Sequence, residues 1–269
     1  MGLFNKNHTI KDRGAASSLR AGIDVTRGAY EGLTVVHKFG RNDAVGTSIQ
    51  PVALGGNYRT PSTLTSLEVV SDSANDTAAG SGARKVKVQG LSTGWVLTEE
   101  EITLNGTTPV ALANQYFRIF RAFVSESGSY ATQSTPSHAG QLTIQESGAG
   151  DEWTIINDVS VFAKSQSQIA CYTVPAGYSA VVKSVWTHVE STKPANIYFF
   201  QRQDADVVSA PYSAMRLVQE WDGVDGQANL AVDTPLGPFP SKTDIGFMAK
   251  VATGTAAVSI DFEIILIEE

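Results

Sequence analysis

The chain has 269 residues, 42% of them hydrophobic and only 17% charged, which is material for one large β domain or two ordinary ones. Its 24 glycines, with abundant Ser, Thr and Ala, exclude a body of long solvated helices. Net charge is −7, but the first sixty residues carry eight basic side chains against four acidic ones, so they stand at +4 and the remainder at −11. That remainder is too acidic for a nucleic-acid reader, whose folded domain is usually basic.

In chain order, residues 1–60 are expected to form an extended basic arm. Glycine recurs there at 14, 22, 28, 32, 40, 46, 55 and 56, too often for a helix interior. Ala15 to Arg20 could form one helical turn, and Thr34-Val35-Val36 and Val52-Ala53-Leu54 could add edge strands. Lys6, Lys11, Arg13, Arg20 and Arg27 are the candidate docking residues of this arm, suited to an acidic groove on a partner. The N-terminus lacks the apolar run of a signal peptide. No window reaches the roughly 18 apolar residues of a membrane span. A chain made in a reducing cytoplasm, with no membrane and no nucleic-acid partner, is the expectation. The sequons at Asn7, Asn75 and Asn105 are then unused.

Residues 61–150 are expected to form a first β-sandwich domain. Leu67 to Val69, Lys85 to Gln89, Glu101 to Leu104 and Gln141 to Gln145 alternate polar and apolar positions. Tyr116 to Val124 is apolar on both faces apart from Arg118 and Arg121, which predicts a central strand. Glu146 to Glu152 is read as a linker or long turn.

Residues 151–269 are expected to form a second, jelly-roll-like sandwich, beginning at Trp153. Its strands include Ala170 to Val174, Val181 to Val189, Ile197 to Gln201 and the alternating run from Ile245 to Val251. Val258, Ile260, Phe262, Ile264 and Leu266 line one face of the final strand. The added Ile265 and Ile267 predict burial on both faces, hence a place in mid-sheet. The fold class is therefore all-β: an N-terminal arm followed by two sandwich or jelly-roll-like domains.

Several quoted stretches carry a resemblance. They are VVHKFGRN (35–42), SDSANDTAAGSGAR (71–84) with its following strand and Gly-Leu corner, YTVPAG (172–177), PYSAMR (211–216), PLGPFPSKTDIGFMAK (235–250) and the closing VSIDFEIILIEE. Together they resemble a group of tailed-bacteriophage virion structural proteins over most of residues 33–269. The resemblance implies a non-enzymatic subunit that binds other virion proteins and copies of itself. Capsid decoration is the leading placement, with neck, tail or fibre attachment, and host-glycan binding, as the alternative. A homo-oligomer follows, with closed symmetry as the default and a trimer as the first expectation. The protein would reside in the virion after assembly in the host cytoplasm.

Catalytic patterns are thin. Gly80-Ser81-Gly82 lacks the spacing and following helix of a nucleophile elbow. The lone Cys171 reads as an inert core thiol, with His188 its one conceivable partner. Among Glu99, Glu100 and Glu101, only Glu99 and Glu101 share a strand face as a glycosidase pair would; a solvated edge is the plainer reading. Asp204 with Asp206, Asp222 with Asp225, and Asp72, Asn75 and Asp76 could offer oxygens to Ca²⁺, though Asp and Gly also favour turns for backbone reasons. His8, His37, His138 and His188 show no ligand spacing. Trp95, Trp153 and Trp221 are the aromatics a sugar site would use as stacking platforms. No cofactor is expected.

Overall fold

The computed structural model describes residues 23–132, 134–158, 165–230 and 235–269. Lys6, Lys11, Arg13, Arg20 and His8 lie outside the described residues. Arg27 is exposed and follows a single helical turn, its amide donating to the Ile23 carbonyl.

The described chain is all-β, built as antiparallel sheets. β1 (Leu33–Val45) and β2 (Gln50–Pro51) come first. Next are β3 (Thr65–Ser71), β4 (Ala83–Leu91), β5 (Leu97–Thr103), β6 (Val110–Tyr116), β7 (Arg118–Ser127), β8 (Leu142–Glu146) and β9 (Glu152–Ile156). The chain closes with β10 (Cys171–Thr173), β11 (Tyr178–Val189), β12 (Ala195–Arg202), β13 (Arg216–Val224), β14 (Gly226–Asn229), β15 (Leu236–Phe239), β16 (Asp244–Val251) and β17 (Ala256–Glu268).

Two sheets make the first sandwich, in the orders β6-β3-β8-β9 and β5-β4-β7. Between them lie Leu67, Val69, Val86, Val88, Ile102, Tyr116, Ile119, Leu142, Ile144 and Trp153, all buried. Except in β7, the alternation along the strands sends one face inward and the other towards solvent. The second sandwich pairs β1-β17-β11-β14, with β15 also on β11, against β10-β16-β12-β13, with β2 on β16. Val182, Ile197, Phe199, Phe247, Ile260 and Phe262 fill its core, and the ring of Phe247 meets Phe199 and Phe262 at centroid distances of 4.8 and 5.0 Å.

Residues 33–56, expected within the arm, are instead built into the second sandwich. β1 pairs with β17 from Leu33↔Ile267 to Val45↔Ala256, and Thr34 to Val36 thus lie in a strand at the sheet edge. The run reads as arm because its glycines break the pattern, yet Gly40 serves packing. A Cβ there would stand 2.1 Å from the Ala170 amide nitrogen. Residues 152–156, expected to open the second unit, close the first: β9 pairs with β8, and Trp153 and Ile156 sit in the first core. The first sandwich is thus an insertion between β2 and β10 of the second.

β17 stands between β1 and β11, in mid-sheet. The stretch 116–124 divides into the end of β6 and the start of β7, and β7 is an edge strand rather than a central one. It is apolar on both faces for a different reason. Ile119 and Ala122 enter the first core, while Phe120 joins the second sandwich's core and stacks on Tyr172 at 4.4 Å.

Candidate functional site

The residues that could carry chemistry are not brought together. Cys171 lies buried on β10, whereas His188 is exposed on β11 in the opposite sheet. Burial pushes the Cys171 thiol up to about 12, which makes it a poor nucleophile. Glu99 accepts from Lys87 at 2.8 Å and Gln89 at 2.7 Å, and Glu101 lies 3.6 Å from Lys85. The hydrogen bond from Lys87 holds Glu99 below the ordinary carboxylate range, opposite to what a glycosidase acid requires. Glu100, on the other face, is held by the Ala113 and Asn114 amides and the Tyr116 hydroxyl.

The acidic turns are engaged singly. Asp204 accepts from Ser213, Asp206 from Lys242 and Asp225 from the Thr192 amide. No group of three or more His, Cys, Asp or Glu side chains gathers as a metal site among the described residues. His37 meets Asp261 at 2.6 Å, and buried His138 meets the Asn157 carbonyl at 2.9 Å. Trp95 and Trp153 are buried, Trp95 stacked on Phe117 at 4.5 Å, while Trp221 is half-covered beside Phe247. Burial leaves Trp95 and Trp153 without a free stacking face. Trp186, not singled out from sequence, is 39% exposed on β11.

The loop from Asp72 to Gly82 is organised by Asp76, which is fully buried. Its Oδ1 accepts from the Ala83 and Ala139 amides at 2.6 and 2.8 Å, its Oδ2 from the Ser71 hydroxyl and Gly140 amide at 2.6 and 3.0 Å. Four donors occupy both oxygens, so the carboxylate joins β3, β4 and the segment before β8 in place of coordinating a cation. Gly82 is required by this close approach, since a Cβ there would stand 2.1 Å from Oδ1.

Two surfaces stand out instead. The first is an apolar ribbon. Val207, Val208, Tyr212, Met215 and Leu217 are 44%, 50%, 66%, 51% and 56% exposed. Val207, Val208 and Tyr212 line one shallow pocket of about 120 Å³ with Pro61, and the ribbon runs on into β13. β13 is the last strand of its sheet, so one backbone edge is unpaired among the described residues. Sequence reading missed this surface because it took PYSAMR only as a point of resemblance; two apolar pairs beside a Pro-bearing loop were the available signal.

The second surface is a cleft of about 700 Å³ between the sandwiches, lined by β1, β5, β7 and the segment leading into β10. Lys38 and His37 come from β1, Glu99 from β5, Phe120 and Arg121 from β7. Lys38 is buried and its Nζ donates to the Phe120 carbonyl at 2.7 Å. Burial, and to a lesser extent the nearby Arg121 charge, lowers its pKa to about 7 even though Cys171 pulls the other way. A buried ion pair, Arg118 on β7 with Asp244 on β16, also fixes the two sandwiches together.

No family model matches the chain, and no curated protein matches it. Among solved structures, the chain is similar to the infectious bursal disease virus Gx strain structure at 9% identity, covering 88% of this chain and 73% of that one, with a TM-score of 0.24. The infectious bursal virus derived T=1 particle matches at 10% identity, 88% and 74% coverage and a TM-score of 0.21. The T13 particle of the same virus matches at 11%, 87% and 69% coverage and a TM-score of 0.22. Likeness at these TM-scores carries no argument about this chain.

Proposed function

We propose that this chain is a non-enzymatic structural subunit of a tailed-phage virion, with capsid decoration as its placement. The observation that carries the reading is the apolar ribbon of 207–217 running into the edge of β13, which is unpaired among the described residues. An exposed stretch rich in apolar side chains beside a strand edge is a liability for a protein that works alone and an interface for one that assembles. The sequence resemblance to virion structural proteins supports the same role.

The occupant of that edge is a second copy of the chain. Two β13 strands laid antiparallel bring the Arg216 end of one copy to the Asp222 end of the other, with the exposed Leu217 of each copy in the contact. Such an edge is self-complementary in charge, as a two-fold interface requires. A neck or tail placement is the second reading. The acidic body and the basic residues before position 30 fit docking of one end while the sandwiches face outward.

Quantitative mass spectrometry of purified virions, separated into heads and tails, tests the proposal. Hundreds of copies with the heads support decoration, and about a dozen or fewer with the tails support the second reading. Absence from both removes the structural role. Sedimentation of the purified chain reads the oligomer, with a closed trimer as the outcome that would displace the two-fold contact.

A further inference from the structure

The cleft between the sandwiches holds two cations, and the one carboxylate among its described lining residues, Glu99, feels the Arg121 charge but accepts its hydrogen bonds from Lys87 and Gln89. An ammonium carries three N–H donors, and among the described residues Lys38 reaches one acceptor, the Phe120 carbonyl. Arg121 gives Nη2 to the Gln166 side chain at 2.9 Å and lays its guanidinium over the Phe123 ring at 4.6 Å. Its remaining donors have no acceptor among the described residues. Glu99, the acid on the rim, is occupied by Lys87 and Gln89. His37 at the mouth is taken up by Asp261. A buried ammonium with spare donors beside a second cation is costly, and the cost is relieved either by loss of its proton or by an anion that joins the two cations.

We propose that this cleft binds a small carboxylated, hydroxyl-rich ligand of the uronic-acid class, its carboxylate held between Lys38 and Arg121. A planar carboxylate fits the guanidinium fork and gives Lys38 its missing acceptor. Glu99, a single negative charge at the rim, opposes a phosphate dianion more than it opposes one carboxylate. Polar groups around the cations suit sugar hydroxyls. Among the described residues, Gln89 has a side-chain oxygen, Gln166 an amide nitrogen and Ser167 a hydroxyl hydrogen left over after the bonds they make. Val36, Leu97 and Tyr172 supply apolar wall for sugar C–H faces, and the volume lies within the range of small-molecule sites. The inference stands apart from the virion role and would hold for a subunit at any place on the particle.

Calorimetric titration of the full chain tests it, with digalacturonic acid, maltotriose, inorganic phosphate and a short glutamate peptide as probes. Digalacturonic acid is expected to bind at least about tenfold more tightly than the neutral sugar, phosphate or the peptide. Lys38→Met and Arg121→Gln are each expected to weaken it by about tenfold or more with the thermal melt preserved. Arg121 is exposed, so its variant decides the matter if Lys38→Met fails to fold. Equal binding of the neutral sugar, tighter binding of phosphate or the peptide, or unchanged affinity in the Arg121 variant would overturn the proposal.

Discussion

Arg118 and Asp244 form a two-pronged ion pair across the junction of the sandwiches, Nε to Oδ1 and Nη2 to Oδ2, each at 2.9 Å. Arg118 belongs to β7 of the inserted sandwich and Asp244 to β16 of the other, 126 residues on. Both are buried, and the guanidinium also packs over Trp95 at 5.1 Å and donates to the Phe117 and Pro61 carbonyls. Asp244 further accepts from Thr173 and Arg202. Burial pushes its carboxyl upward, but Arg118, Thr173 and Arg202 together outweigh that and hold it below its ordinary 3.8. A depressed carboxylate stabilises above its unfolded pKa and loses that contribution as pH falls through its folded one. The junction is therefore an acid-labile point, intact at neutral pH and weakened below about pH 4.

The two partners are not equivalent, and this gives an ordering. Asp244→Ala strands two guanidinium groups, one of them wholly buried, and is expected to cost about 3–5 kcal/mol. Arg118→Met leaves Asp244 with Arg202 and Thr173 and keeps an apolar stem against Trp95, so it is expected to cost less. Urea unfolding of both variants at neutral pH checks this. A larger loss in Arg118→Met would show that Arg202 does not sustain the carboxylate.

Asp76 is the corresponding hub of the first sandwich. Asp76→Asn places an amide N–H₂ against backbone N–H donors that now meet a carboxylate oxygen. A loss of about 2–4 kcal/mol is expected from the donors left without acceptors. Gly82→Ala should be about as damaging, because its Cβ would collide with the same oxygen. Thermal melts followed by near-ultraviolet dichroism read both. Added Ca²⁺ should not shift the melting of the unaltered chain, since donors already occupy both oxygens.

These two hubs show what the sequence made legible and what it hid. Period-two alternation marked β4, β11, β16 and β17 because one face of each meets a core. The doubled apolar character of 264–267 placed β17 in mid-sheet, and it stands there. The same doubling at 116–124 pointed to a central strand, whereas β7 is an edge whose second face is covered by another sandwich. Local pattern records that a face is buried without recording what buries it. Pairing of β1 with β17, more than 200 positions apart, likewise leaves no local trace. Asp76 was weighed as a cation ligand because a buried acceptor of backbone amides and a metal ligand look alike in sequence. The cleft required two distant segments, 35–39 and 97–99, to meet, and no periodicity announces that.

Lys38 gives a pH dependence of opposite sign to that of Asp244. Its folded pKa is lowered to about 7 from 10.5, chiefly by burial, so above about pH 7 the unfolded chain binds more protons than the folded one. Stability from this group therefore rises with pH from about 7 upward. The buried Cys171 thiol, raised from 9.0 to about 12, works in the other direction above about pH 9. Arg121, Cys171, His37 with Asp261, and Glu99 are the charged and titratable groups around Lys38 on the packed strands. Urea midpoints measured from pH 7 to 9 should climb in the unaltered chain and flatten in Lys38→Met. Parallel slopes would mean that water reaches the ammonium.

The β13 edge supplies the prediction that separates folding from assembly. Leu217 and Tyr212 are more than half exposed, so Leu217→Asp and Tyr212→Ser should leave stability within about 0.5 kcal/mol of the parent. Arg216→Asp places like charges against Asp222 across the proposed two-fold, and Asp222→Arg in the same chain restores opposite ones. Sedimentation should show the parent associating, Leu217→Asp and Arg216→Asp reduced to monomer, and the doubly exchanged chain associating again. Arg216 also donates to Gln203 within its own chain, which Arg216→Lys partly preserves, so the lysine form should associate like the parent. Recovery in the exchanged chain is the decisive reading, because a merely local defect at position 216 would not be repaired by a second change at 222.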